Sequence, residues 1–361
     1  MKTLTLNTSS LLNAVAIANN FMAKEGDFEG TIVLAGHNGK LEVRSTNFEQ
    51  TIIFKEIDFV SSDLTDNNFS AFSIDGKKLL TVLKAARDEV KIELISTEQV
   101  IVKSGRSRVK IDLFANTQSI SINKEGYSLG NMSEQINAMH KVIHAADLNN
   151  PKYELNGILL QAKQGYFNVV ATDARRLSIV KMVSQDNMDI IIPKKGAETI
   201  IKLFQGFDVD SKLQDNTLLS FHTDKISFST KLINGKYPNF ERIVPMGFKQ
   251  TVTIPTSALK SLVSEASIFN NEIIIDINNN KIKLTDFDDN TKVEDDFTSS
   301  VNIQFGINAH AIIDFINAIK DINIQIGFNE NSLPIALIAS NQKEIIMPIV
   351  MHKKKEAQKA A

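Results

Sequence analysis

Three segments of this chain begin at serine and continue with apolar residues at helical spacing: SSLLNAVAIANNF from Ser9, SEQINAMHKVIHAA from Ser133 and SALKSLVSEASIF from Ser257. Their starts are separated by two equal steps of 124 residues. A fixed period of that length constrains a fold more than any single motif, because each copy must reuse one local architecture. Serine is a favoured N-cap, which places it at the start of each helix. Every copy carries a second helical stretch further on: SIDGKKLLTVLKAA (Ser73–Ala86), IIPKKGAETIIKLF (Ile191–Phe204) and GINAHAIIDFINAIK (Gly306–Lys320). Alternating β-branched runs lie between and after these helices, among them GTIVLAGHNGKLEVRSTN, with Asn38-Gly39 as a hairpin turn.

Helices are few and strands many. The expected class is therefore α+β: three tandem similar domains, each with two helices packed on antiparallel sheets. Boundaries are expected in the polar or Gly/Pro-bearing segments Asn116–Gly130 and Pro245–Gln250. That gives domains at residues 1–122, 128–246 and 250–351, and a lysine-rich tail at 352–361. A length of 361 residues suits two or three domains.

Composition removes several classes of function. Hydrophobic residues at 43% and charged residues at 23% are those of a folded chain, which excludes wholesale disorder. The absence of cysteine excludes disulfides, thiolate metal sites and a thiol nucleophile, and fits a reducing compartment. No apolar run approaches the ~18 residues of a membrane helix, and the opening MKTLTLNTSS lacks the apolar core of a signal peptide. A cytoplasmic protein without a membrane partner is expected.

Catalytic signatures are sparse. His140 and His144 are four apart and could share a helix face, but no glutamate follows His140 and no third ligand is recognisably spaced. Asp286, Asp288 and Asn290 resemble the start of a calcium loop, yet Thr291 stands where glycine is required and Phe297 where glutamate is. Phosphate-binding loops, dinucleotide fingerprints and nucleophile elbows are missing. No metal and no cofactor are expected. A hydrolase or metal-dependent enzyme using Asp173 or the histidine pair stays as the alternative of another class, and a repeat-built structural or adhesion protein as a third.

Charge is distributed more tellingly than its total of −2. The second helices of the first two copies carry Lys77, Lys78, Lys84 and Arg87, then Lys194, Lys195 and Lys202, and the loop SGRSR adds Arg106 and Arg108. Recurrence at equivalent places points to a surface facing a polyanion. Without base-reading motifs or stacking aromatics, its contacts would go to phosphates and be blind to sequence.

Seven stretches then acquire a common meaning: VKSGRSR (Val102–Arg108), YELNGILL (Tyr153–Leu160), VVATDARRLSIV (Val169–Val180), IPKKG (Ile192–Gly196), FSTKLINGKYPNFERIVP (Phe228–Pro245), GINAHAIIDFINAI (Gly306–Ile319) and EIIMPIV (Glu344–Val350). In this order, and over nearly the whole chain, they resemble the bacterial sliding clamp family, the β subunit of DNA polymerase III. The resemblance implies a DNA-clamp architecture: a head-to-tail homodimeric ring whose helices line a central hole. It also implies a non-catalytic processivity factor that encircles duplex DNA without sequence preference. Replicative DNA polymerase, clamp loader and repair polymerases would dock through linear peptide motifs.

On that resemblance, DNA contacts fall on Lys24, Lys78, Asn149, Tyr153, Lys194, Lys195 and Lys202. The peptide pocket falls on Leu155, Thr172, Arg175, Arg176, Leu177, Pro238, Arg242 and Ile243, with Ile346, Met347, Pro348 and Ile349 from the C-terminal strand. Leu177 would form the floor, Arg175 and Arg176 would flank it, and Pro238 with Arg242 would close one side. Pro348, which lacks an N–H, suits a sheet edge. The subunit boundary would set Lys77, Lys78, Arg106 and Arg108 against Glu294, Asp295 and Asp296, with Ile268 and Phe269 adding an apolar contact. The chain departs from the family at Ala174-Arg175, where Gly-His is common, and at Glu154, where an aromatic often stands. It departs again in the loop after Phe21, which lacks a proline-rich stretch, and in the tail after Met351.

Overall fold

The computed structural model describes residues 2–26, 29–37, 39–62, 71–114, 120–123, 125–183 and 188–351. The expected tail at 352–361, Asn38 of the hairpin turn, and residues 116–119 and 124 of the first expected boundary lie outside the described residues.

The first repeat runs β1 (Lys2–Asn7), α1 (Thr8–Ala18), β2 (Thr31–His37), β3 (Lys40–Thr46), β4 (Gln50–Ser62), β5 (Phe72–Asp75), α2 (Gly76–Ala85), β6 (Glu89–Leu94), β7 (Gln99–Ser104) and β8 (Ser107–Phe114). The second runs β9 (Tyr127–Asn131), α3 (Ser133–Val142), β10 (Gly157–Lys163), β11 (Tyr166–Thr172), β12 (Arg176–Val183), β13 (Met188–Pro193), α4 (Lys194–Phe204), β14 (Asp210–Gln214), β15 (Leu218–His222) and β16 (Ile226–Lys231). The third runs β17 (Gln250–Pro255), α5 (Thr256–Ala266), β18 (Glu272–Asn278), β19 (Lys281–Asp286), β20 (Lys292–Asp296), β21 (Ile303–Asn308), α6 (Ala309–Ala318), β22 (Asn323–Phe328), β23 (Ile335–Ala339) and β24 (Gln342–Ile346). Among the described residues, one order of ten elements therefore occurs three times.

Local chemistry explains where the helices start. The repeat serines sit just inside their helices rather than at the caps. Asn7 caps α1, its Oδ1 accepting from the Ser9 and Ser10 amides at 3.0 and 3.4 Å. Ser133 is the first residue of α3 and donates its amide to Asn131 Oδ1 at 3.0 Å, while Pro255 precedes α5. The second helices start three residues later than their periodicity predicts. Ser73–Asp75, Ile191–Pro193 and Gly306–Asn308 are the ends of β5, β13 and β21, and each strand passes straight into a helix. Periodicity cannot separate a short apolar strand end from a first helical turn. The cap can: Asp75 accepts from the Lys78 amide and Asn308 from the His310 amide, both at 2.9 Å.

The chain forms two compact units that do not coincide with the repeats: Met1–Ser133 with Gly206–Leu232, and Glu134–Gln205 with Ile233–Ala361. In the first unit twelve strands form one sheet, in the order β1-β6-β7-β8-β5-β2-β3-β4-β16-β15-β14-β9. The long β4 makes this possible, because its C-terminal part pairs with β1 while residues 50–54 pair with β16. In the second unit the order β13-β10-β11-β12-β24-β23-β22-β17 makes an eight-stranded sheet, and β20-β19-β18-β21 a four-stranded one. All pairings between named strands are antiparallel, as alternating runs joined by short turns favour.

Helices supply the cores. α1 buries Leu11, Val15 and Ala18, spaced four and three apart, and α2 buries Leu79 and Leu83. In the second unit Leu259 and Val263 of α5 and Ile312 and Phe315 of α6 share one core with Ile275 and Leu284 of the four-stranded sheet and Ile324 and Ile326 of the eight-stranded one. No helix of the described residues is long and apolar enough to cross a membrane.

Candidate binding surfaces

The turn between β11 and β12 is built by its own side chains. Asp173 Oδ1 accepts from the amides of Arg175 and Arg176, both at 2.9 Å. Thr172 Oγ1 donates to the Arg176 carbonyl at 2.5 Å and accepts from the Ala174 amide at 3.1 Å. Ala174 closes the turn with φ +71°, the left-handed region in which glycine is at ease. The turn leaves Arg175 exposed, and the chain buries Leu177 once β12 has begun.

Arg176 lines a cavity beside the C-terminal segment and is also a half-buried tie. Its Nε meets Asp173 at 3.2 Å, one terminal nitrogen meets Asp314 of α6 at 2.8 Å, and the other donates to the His144 carbonyl at 2.8 Å. Glu344 of β24, fully buried, stands 3.8 Å from the guanidinium and 2.7 Å from His144 Nε2. Burial opposes the charge on Arg176, but the hydrogen bond to Asp314 and the carboxylates of Glu344 and Asp173 outweigh it and hold the guanidinium above its usual range. The charge is thus fixed, and it fastens α6 and β24 to the turn.

That tie positions the chain's last described residues. β24 is not a sheet edge, since it lies between β12 and β23. The chain leaves it at Met347, whose amide donates to the Arg175 carbonyl at 2.9 Å, and Ile349 donates to the Gly306 carbonyl at 2.8 Å. Pro348, with no N–H, spans the gap between these two bonds. Gly306 is required by the close approach, because a Cβ there would stand 2.7 Å from Phe287 and 2.9 Å from the Ile349 carbonyl oxygen. A cavity of about 500 Å³ opens beside this segment, lined by Arg175, Arg176, Ile346, Met347, Pro348 and Ile349. Asp173, Glu272, Asn308, His310 and Ala311 line it too. The last three lie in the stretch GINAHAIIDFINAI, which the sequence singled out as a whole without assigning them to a site.

The remaining pocket candidates lie along an adjoining apolar cluster. Leu155 and Leu177 are buried with Tyr237, Phe240 and Ile345. Thr172 serves the turn, and Pro238, Arg242 and Ile243 are exposed on the segment around the short helical turn Phe240–Ile243. Met347 is half exposed, at 50%. Tyr237 and Phe240 were not singled out, though both belong to the matched stretch KYPNFERIVP.

The basic candidates divide. Lys195 and Lys202 of α4 are exposed, opposite the buried Ala197, Ile200 and Phe204. Lys194 is half-buried and donates to the Ala146 carbonyl at 2.7 Å. Tyr153 donates its phenol to the Asn234 carbonyl at 3.0 Å, and Asn149 is exposed. In the first unit Lys24, Lys77 and Lys78 are exposed, the last 3.8 Å from Asp75. Arg106 and Arg108 are exposed at the β7–β8 hairpin. In the third repeat Ile268 and Phe269 are 66% and 73% exposed. Asp295 and Asp296 are exposed, and Glu294 pairs with Lys292 at 2.9 Å and Lys281 at 3.6 Å.

The residues named for a hydrolase are engaged in other contacts or held apart. Asp173 is occupied by the turn, α3 ends at Val142, and His144 turns to Glu344. Among the described residues no three His, Asp or Glu side chains are placed to hold a metal ion.

The described residues thus combine three repeats of one element order with a cavity beside the C-terminal segment and exposed lysines on α2 and α4. The family model for the central domain of the DNA polymerase III beta subunit matches residues 131–239. The beta sliding clamp of Buchnera aphidicola from Acyrthosiphon pisum is 25% identical over 337 residues, covering 88% of this chain and 90% of its own. That of Haemophilus influenzae is 25% identical over 272 residues, 69% of this chain and 72% of its own. The Helicobacter pylori beta clamp bound to a DNA ligase peptide has the same fold, with a TM-score of 0.87 at 23% identity over 97% of this chain and 100% of that one. The Pseudomonas aeruginosa clamp bound to griselimycin gives 0.85 at 19% identity, with coverage of 97% and 100%. Along nearly its whole length this chain is similar to bacterial β sliding clamps, and its middle repeat carries the match to the family's central-domain model.

Proposed function

We propose that this protein is a cytoplasmic, non-catalytic processivity factor that encircles duplex DNA as a homodimeric ring. It tethers the replicative polymerase, the clamp loader and repair polymerases through short peptides. Its domains are the three repeats, at 1–122, 128–246 and 250–351. The observation that carries this reading is the threefold recurrence of one ten-element order, in a chain whose exposed helix lysines Lys195, Lys202 and Lys78 offer charge and no base-reading set. Weak, interchangeable phosphate contacts let a ring slide, whereas base contacts would stop it. Tethering raises a partner's effective concentration without any chemistry.

Two free strand edges support a head-to-tail dimer. β20 ends the four-stranded sheet and carries Glu294, Asp295 and Asp296. β8 pairs with β5 only at Leu113 and Phe114, so among the described residues 107–112 have one open side, beside Arg106, Arg108 and Lys110. Complementary edges of this kind pair by strand addition.

The peptide would lie across Leu177, Met347 and the exposed Arg175, with Arg176 holding the site together. The test joins both halves of the reading. The native protein is expected to elute as a dimer and, once loaded, to stay on circular but not linearised DNA. Met347→Ala should keep the dimer and weaken a polymerase peptide by about 1–3 kcal/mol. A monomer at micromolar concentration and low salt, or unchanged peptide affinity in an intact dimer, would refute the corresponding half.

A further inference from the structure

We propose that a groove beyond the Leu177 cluster is a second peptide subsite, which takes an acidic and apolar segment flanking a partner's anchor residues; this rests on the peptide-docking reading above. Side chains alternate along a strand, so Leu177, Ile179, Lys181 and Val183 of β12 share one face. The first two belong to the cluster that holds Phe240, with Val244 and Ile338 partly buried against it. Past Ile179 the cluster opens into a cavity of about 620 Å³, walled by the segment from Phe240 to Met246. Two apolar side chains of its lining are bare: Val183 is 83% exposed and Met246 fully so. Exposed apolar side chains gathered at one cavity point to a docking surface, where scattered ones do not. From Leu177 to Val183 is about 20 Å at ~3.3 Å per residue, the reach of roughly six extended residues of a bound peptide.

Charge selects the occupant. Lys181 stands with its ammonium 3.7 Å from the centre of the Tyr166 ring, and the Lys343 ammonium lies 5.9 Å from that of Phe248. Strand register sets Lys343 opposite Ile179, so both cations lie along the same stretch of β12. Among the described residues neither has a carboxylate within 4.0 Å, and Glu241 is the sole acid lining the cavity. Aromatic contact holds the ammonium groups in place without neutralising them. A peptide carboxylate beside leucine-like side chains fits both features, whereas a nucleic-acid backbone would leave the apolar lining unmatched.

The chain has no cysteine, so Val183→Cys carrying an environment-sensitive dye reads this cavity alone. Three synthetic peptides serve as probes. The first is a six-residue anchor from the replicative polymerase of the same cell. The others are that anchor extended at one end or the other by six residues bearing two glutamates and two leucines, or two lysines and two leucines. The glutamate extension should bind about fivefold tighter than the anchor, the scale of two partly exposed ion pairs, and should shift the dye. Lys181→Glu with Lys343→Glu should abolish that gain, transfer it to the lysine extension, and leave the bare anchor unchanged. Equal binding of the two extensions, a gain that survives charge reversal, or a dye that responds to duplex oligonucleotide instead would overturn the proposal. If the anchor fails to bind the native protein, the pocket reading falls on its own. The glutamate extension supplied alone then decides the groove: a saturable dye shift lost on charge reversal supports it, and silence sinks it.

Discussion

Arg176 illustrates how one side chain can line a cavity and at the same time fasten the elements that form it. Its guanidinium meets Asp173 and Asp314, stands 3.8 Å from the fully buried Glu344 and donates to the His144 carbonyl. Removing one partner of a buried ion network leaves the others bare in a poorly solvated place. Arg176→Ala is therefore expected to lose about 3–5 kcal/mol in urea denaturation. Adding Glu344→Gln should recover part of that loss, because it removes the orphaned charge. Its neighbour Ala174 carries a smaller strain, having φ +71° where a Cβ is disfavoured. Ala174→Gly should stabilise the protein by up to about 1 kcal/mol, partly offset by glycine's greater freedom in the unfolded chain. A lower midpoint for that variant would show the left-handed turn to be relaxed already.

At the scale of an element, the hairpin between β19 and β20 depends on an ionised carboxylate. Asp286 Oδ1 accepts from the Asn290 amide at 2.7 Å and the Thr291 amide at 3.3 Å. Burial alone would raise its pKa, yet the Thr291 and Asn290 hydrogen bonds prevail and hold it below the usual 3.8. A depressed carboxylate contributes stability that is present above the unfolded value and lost as pH falls through the folded one. Amide protection factors at Asn290 and Thr291, taken against the intrinsic exchange rate at each pH, should therefore be high above pH 3.8 and fall progressively below it. Asp286→Asn should remove that local pH dependence, since its side-chain oxygen accepts at any pH. The failed calcium loop of the sequence is, in the fold, a turn stapled by its first acid.

At the scale of the whole molecule, the proposed assembly rests on opposite charge at two open strand edges. Exposed charges are screened by salt with a Debye length of about 10 Å at 0.1 M. Dimer dissociation in sedimentation experiments should thus become easier as salt rises. Arg106→Glu with Arg108→Glu should weaken the native dimer strongly at low salt and much less at high salt. Combining those changes with Asp295→Lys and Asp296→Lys should restore much of the affinity, because the complementary pattern is swapped rather than destroyed. A salt-independent dimer would place the energy in Ile268 and Phe269 instead.

The repeat, the class and the likeness to sliding clamps were legible in the sequence, because periodic apolar spacing and ordered motifs are local properties of a chain. The second helices and the stretch ending in Met347-Pro348 announced elements of the right kind. Their boundaries were less legible: Ser73, Ile191 and Gly306 look helical from their neighbours, and only the caps at Asp75 and Asn308 and the proline at position 193 show where strand gives way to helix. What tertiary structure alone decided is which residues meet across long separations. The middle repeat contributes strands to two different sheets because pairing follows free edges and not chain order. Arg176 is a tie because Glu344 and Asp314, distant in sequence, arrive beside it. His310 and Ala311 reach the cavity because Gly306 lets the C-terminal segment lie close. Spacing along a chain encodes the shape of an element, but the energy of a buried charge or a bare apolar side chain depends on what is folded against it.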